Sequence, residues 1–149
     1  MRTNKRGLEL IKEFEGLSLK PYICPSGHFT IGFGSTFYED GTKVQLTDKP
    51  ISRARAEQLL INTVADFERK LYPILSGLIL NDNQFSALVS FTFNVGVANF
   101  KKSTLLKIIR ENPNDWDIKE QFLRWNKANK KVLPGLTRRR QAEAKLYFR

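Results

Sequence analysis

The chain has 149 residues, 41% of them hydrophobic and 27% charged, with no low-complexity tract; this excludes a disordered chain and fits one domain that buries roughly 70% of its unfolded surface. One cysteine, Cys24, and one histidine, His28, exclude an internal disulfide and a cysteine-rich zinc site, so neither a cofactor nor a metal is expected. The net charge of +10 is uneven: residues 101–149 hold 14 Lys/Arg and 5 Asp/Glu, against 11 and 10 in residues 1–100, and such a field attracts polyanions of several classes.

From Thr3 to Glu15 the pattern is that of an amphipathic helix, capped by Thr3 or Asn4 and stopped by Gly16. Leu8, Leu10, Ile11 and Phe14 share one arc, and Glu15 falls within it, whereas Glu9 and Glu13 face away. The period then changes to two. Tyr22 and Cys24 share one face of an extended segment, and His28, Thr30 and Gly32 share one face of the next, with Pro25-Ser26-Gly27 as the turn. Pairing as a hairpin puts Cys24 and Thr30 on a common face, and residues 20–46 read as a small antiparallel sheet.

Leu60, Val64, Phe67 and Leu71 recur at helical spacing, predicting a long helix over about 52–71 that ends before Pro73. Asn81 with Gln84 forms a capping-box pattern ahead of a helix that Gly96 can end. Shorter helices are predicted at 103–111, 117–126 and 137–148, the last capped by Thr137, with 112–114 and 132–135 as loops. No apolar run is long enough for a signal peptide or a transmembrane helix, so the expected starting compartment is a cytoplasm.

A carboxyl at a helix end among apolar neighbours suits a proton donor, because desolvation and the negative end of the helix dipole both disfavour its ionisation. Capping or ion pairing is the ordinary alternative for such a residue. The decisive pattern is longer. Glu15, eight residues, Cys24, five residues, Thr30 sits inside Glu-Gly-Leu…Tyr…Gly-His-Phe-Thr-Ile-Gly-Phe-Gly. The blocks Ser90-Phe-Thr-Phe-Asn-Val-Gly-Val-Ala-Asn-Phe, Ser103-Thr-Leu-Leu and Arg124-Trp-Asn…Leu133-Pro-Gly-Leu-Thr-Arg-Arg-Arg…Glu143 follow.

With these blocks the chain resembles the phage-type lysozymes, the endolysins of glycoside hydrolase family 24, over nearly its whole length. The resemblance implies an α+β, two-lobed lysozyme-like fold over 1–149. A β-containing lobe would span about 16–51, a connecting helix about 52–71, and a larger helical lobe about 72–149 together with the N-terminal helix 3–15, with a cleft between the lobes. It further implies hydrolysis of the β-1,4 bond between N-acetylmuramic acid and N-acetylglucosamine in peptidoglycan, causing bacterial lysis. Glu15 would be the general acid, Cys24 would stand at the usual Asp position, and Thr30 would orient the water, generally with inversion. Cys24 belongs to the minority form of the motif, and water holder, nucleophile and spacer all remain open for it; an unperturbed thiol is only a few per cent ionised at neutral pH.

His28, Asn94 and Gly96 are the candidate substrate-binding residues, each with an ordinary structural use beside it: a sheet hydrogen bond for His28 and a helix C-cap for the other two. Trp116 and Trp125 stack on sugars or pack inside. Arg138-Arg139-Arg140 reads as a solvated face or as a contact for acidic envelope polymers. The resemblance implies a monomer released through the membrane by a holin-type protein. A lytic transglycosylase, or a non-catalytic wall-binding or nucleic-acid-binding module, is the alternative; no nucleic-acid motif supports the last, and no specific nucleic acid is expected.

Overall fold

The structure is a computed structural model that describes residues 1–149. It divides into two compact units, one made of Ile11–Asp66 and the other of Met1–Leu10 with Phe67–Arg149. No helix is long and apolar enough to cross a membrane.

Helix α1 spans Lys5–Glu15, and Asn4 is its cap, with the side-chain oxygen accepting from the Gly7 amide at 3.0 Å. Gly16 follows at φ +72°, where the absence of a Cβ lets the chain leave the helix. The strands β1 (Ser18–Ile23) and β2 (Phe29–Gly32) pair antiparallel, with Tyr22 opposite Thr30 and Ile23 opposite Phe29. Beyond them the expected sheet thins to two isolated bridges, Ile31 with Ser35 and Phe37 with Lys43. Helix α2 spans Arg53–Ile74 and ends three residues later than its pattern predicts, because Pro73 is accommodated in its last turn.

The smaller unit packs Ile31, Val44 and Leu59 together, with Tyr38 and Ile51 against them. Gly32 lies so close to α2 that a Cβ there would sit 3.2 Å from the Ala56 Cβ. The end of α1 is pinned within the same unit by buried Ile11, by Lys12 Nζ 3.1 Å from Glu57, and by the same ammonium over the Phe33 ring.

In the larger unit, α3 (Asp82–Val95) begins in a full capping box between Asn81 and Gln84 and ends at Gly96, as the sequence predicts. It is buried from Gln84 to Thr92, which makes it the central helix. Helix α4 (Val97–Lys102) was not signalled by any long period; α5 (Thr104–Glu111) follows, capped by the Ser103 hydroxyl, and then α6 (Asp117–Leu123). A two-residue ladder, β3 (Lys127–Ala128) with β4 (Lys131–Val132), precedes α7 (Pro134–Tyr147).

Two expectations for α7 are corrected. It starts at Pro134 rather than after a Thr137 cap, since proline at the first helical position needs no hydrogen bond there. Arg139 and Arg140 are not a solvated face: both are buried, and Glu143, itself fully buried, pairs with them at 3.2 and 2.8 Å. Ser90 donates to Glu143 at 2.6 Å, and Arg140 donates to the Asn94 side chain at 2.8 Å. Burial raises the Glu143 pKa against the pull of Arg140 and Arg139. The Arg140 guanidinium also lies 5.0 Å from the centre of the Phe91 ring, and Phe91 meets Phe122 and Trp125 edge-on, so Trp125 is a packing residue.

Candidate active site

Glu15 is the last residue of α1 and is half-buried, while Glu9 and Glu13 are exposed, as the helical arc predicts. Beside it lies a shallow depression of about 250 Å³ bounded by Glu15, Gly16, Leu17, Ser18 and Tyr22. The Tyr22 phenol is pushed up by burial, then by the charges of Glu15 and Cys24, so one aromatic ring stands within the field of both groups. Sequence parity paired Tyr22 with Cys24 but gave Tyr22 no place in the site.

Cys24 lies just past β1, in the turn that leads into β2. Its amide donates to the His28 carbonyl at 2.9 Å, and its carbonyl accepts from the Gly27 amide at 2.8 Å. The same His28 carbonyl accepts from the Thr30 hydroxyl at 2.9 Å, so one oxygen holds both residues. Thr30 is 2% exposed and is followed by buried Ile31 and Gly32, which fix β2 in its unit.

The thiol is half-buried. Its Sγ lies 2.9 Å from the Ser26 hydroxyl, and that hydroxyl lies 2.9 Å from His28 Nδ1. Burial raises the thiol pKa, but hydrogen bonds from the Ser26 and Thr30 hydroxyls and from the His28 and Ser26 backbone outweigh it and bring it down to about 6. Thr30 has one proton, which serves either the His28 carbonyl or the thiolate. At neutral pH the lowered pKa favours the thiolate, of which an ordinary cysteine carries only a few per cent. Sequence reasoning saw Ser26 only as a turn residue; the available signal was the alternation Cys24, Ser26, His28.

His28 itself is exposed and precedes β2, with its ring turned to Ser26. Asn94 and Gly96 belong to the other unit, at the end of α3, where Arg140 holds the Asn94 carbonyl oxygen and Gly96 adopts φ +91°. The unit of residues 11–66 therefore gathers Glu15, Tyr22, Cys24, Ser26, His28 and Thr30.

A helix-end carboxyl, a thiol of lowered pKa and a buried hydroxyl on a mostly helical α+β fold are the kinds of groups found in proteins that split glycosidic bonds with water, the lysozyme-type glycoside hydrolases. A model of the family described as phage lysozyme matches residues 12–143, and the chain belongs to that family. It is 36% identical over 152 residues to the endolysin of Acyrthosiphon pisum secondary endosymbiont phage 1, covering 99% of this chain and 98% of that protein. The endolysin of Bacillus phage PZA is 37% identical over 149 residues, and there the chain spans only 55% of the relative's length. Among solved structures, the endolysin from Escherichia coli O157:H7 phage FAHEc1 superposes with a TM-score of 0.84 at 33% identity, over 99% of this chain and 93% of that one. The chain is thus a cell-wall-lysing hydrolase of the endolysin type.

Proposed function

We propose that Glu15 is the general acid with which this lysozyme hydrolyses the β-1,4 bond between N-acetylmuramic acid and N-acetylglucosamine, and that Cys24 and Thr30 hold the attacking water. The observation that carries the reading is the thiolate-favouring turn: Ser26 hydrogen-bonds Cys24, and the His28 carbonyl ties Cys24 to Thr30. Glu15 protonates the leaving oxygen. A water donates one hydrogen bond to the thiolate and one to Thr30, which leaves a lone pair for the anomeric carbon; the thiolate takes the water's proton as the new bond forms. The product has an inverted anomeric centre and a free reducing end. Thr30 supports water addition over the ring closure of a transglycosylase. His28, Asn94 and Gly96 contact the glycan in this reading.

The chain works on peptidoglycan as a monomer, is held in the host cytoplasm until a holin-type protein opens the membrane, and then reaches the wall. Its test is lysis of isolated walls. Glu15→Gln keeps the shape and removes the transferable proton, so turbidity loss should slow by at least about a hundredfold; undiminished lysis by this variant would refute the assignment. Mass spectrometry of the fragments should find hydrolysed rather than anhydro ends.

A further inference from the structure

In the unit that contains them, α6 and α7 leave a surface groove of about 890 Å³. Trp116 at its edge is 75% exposed. Its ring stacks on Phe148 at 4.8 Å between centres and 22° between planes, so one face is covered and the other is open. Lys119, Lys145 and Arg149 also line the groove, against Glu120 as the one acidic side chain. Whereas Arg139 and Arg140 are consumed by Glu143, none of these three cations enters an ion pair.

We infer that this groove is a binding site for a phosphodiester-linked polyol or sugar polymer of the bacterial envelope. The chemistry is complementary in both parts. The open face of Trp116 suits the C–H-rich side of a polyol or sugar ring. The three unpaired cations suit successive phosphates, which are strong acceptors for ammonium and guanidinium groups. A lipid surface fits less well, because Leu123 and Phe148 are only half-exposed and one ring provides too little apolar area to insert. A single-stranded nucleic acid fits less well too, since such grooves use a series of stacking rings and this one offers a single open face. Holding the enzyme on the polymer raises its effective concentration at the glycan beside it.

The inference rests on the peptidoglycan reading above, and the test separates the two. Purified walls are used either intact or stripped of phosphodiester polymers by acid, together with isolated poly(glycerol phosphate). Binding by co-sedimentation and lysis by turbidity are measured for the full chain, Trp116→Ala and the triple variant Lys119→Glu, Lys145→Glu, Arg149→Glu. The full chain should bind intact walls at least about tenfold more tightly than stripped ones and should lose that advantage as salt rises from about 50 to about 200 mM. Both variants should lose the preference and the poly(glycerol phosphate) binding while lysing stripped walls at the parent rate. Equal binding to intact and stripped walls, or unaltered binding by both variants, overturns the inference. So does stronger binding, lost in the same variants, to phosphatidylglycerol vesicles or single-stranded DNA. Failure of every form, the parent included, to lyse stripped walls would count against the muramidase reading and leave the polymer-binding result standing by itself.

Discussion

Ser26 Oγ lies 2.9 Å from both Cys24 Sγ and His28 Nδ1, and its one proton has a single use once the thiol ionises: it goes to sulfur. Ser26 must then accept from Nδ1–H, which sets the His28 tautomer. Alkylation of Cys24 by iodoacetamide should therefore rise with pH with a midpoint near 6. In Ser26→Ala the midpoint should move up by about a unit or more, since a hydrogen bond to a charged group is worth about 1.5–3 kcal/mol; an unmoved midpoint would remove Ser26 from the account. In the proposed mechanism the thiolate is the working form, so kcat/KM should fall as pH drops through about 6. Cys24→Asp should retain activity and carry the acidic limb down toward about 4, the ordinary range of an aspartate. Cys24→Ala should lose most activity at every pH. The placement of Glu15 at a helix end and of Cys24 and Thr30 in one hairpin was legible because it is local in sequence. The lowered pKa was not, since it comes from hydroxyl and amide directions that residue types do not encode.

At the level of elements, what the sequence announces is what neighbours three or four residues apart can settle. The Asn81–Gln84 capping box, the Gly96 stop and the Cys24–Gly27 turn that closes the hairpin are of that kind. Asn81→Ala removes the acceptor for the Gln84 amide and should cost about 1 kcal/mol in urea denaturation. Gly32→Ala is more severe: φ +67° strains any Cβ, and Ala56 stands 3.2 Å from where it would be. A loss of about 1–3 kcal/mol is expected, with Thr30 disturbed two residues away, so wall lysis should fall further than the folded fraction does. The start of α7 was misread because Leu-Pro-Gly looks like a loop, although proline is at ease in a first turn. The burial of Arg139 and Arg140 escaped for a different reason. Their partner Glu143 is near in sequence, but Ser90 and Asn94, which complete the network, are some fifty residues away.

For the whole molecule, the buried charges and the reactive groups lie in different units of the chain. Glu143→Gln deprives two buried guanidiniums of their counter-charge and should cost about 3 kcal/mol or more of unfolding free energy. Where the variant is still folded, the midpoint of Cys24 alkylation should stay near 6, because no group that lowers that pKa lies outside residues 11–66. A shifted midpoint would mean that the two units communicate through the thiol. The separation also bears on how this gene can vary under selection. Substitutions near the Arg139–Glu143–Arg140 triad should lower the dose of folded enzyme, and a chaperone or a cooler host can compensate for dose. Substitutions in the turn from Cys24 to Thr30 should instead alter turnover per molecule, which no increase in expression restores one for one. A mutant library sorted once for abundance and once for lysis should therefore yield two maps of intolerance, the first concentrated on the triad and the second on the hairpin turn.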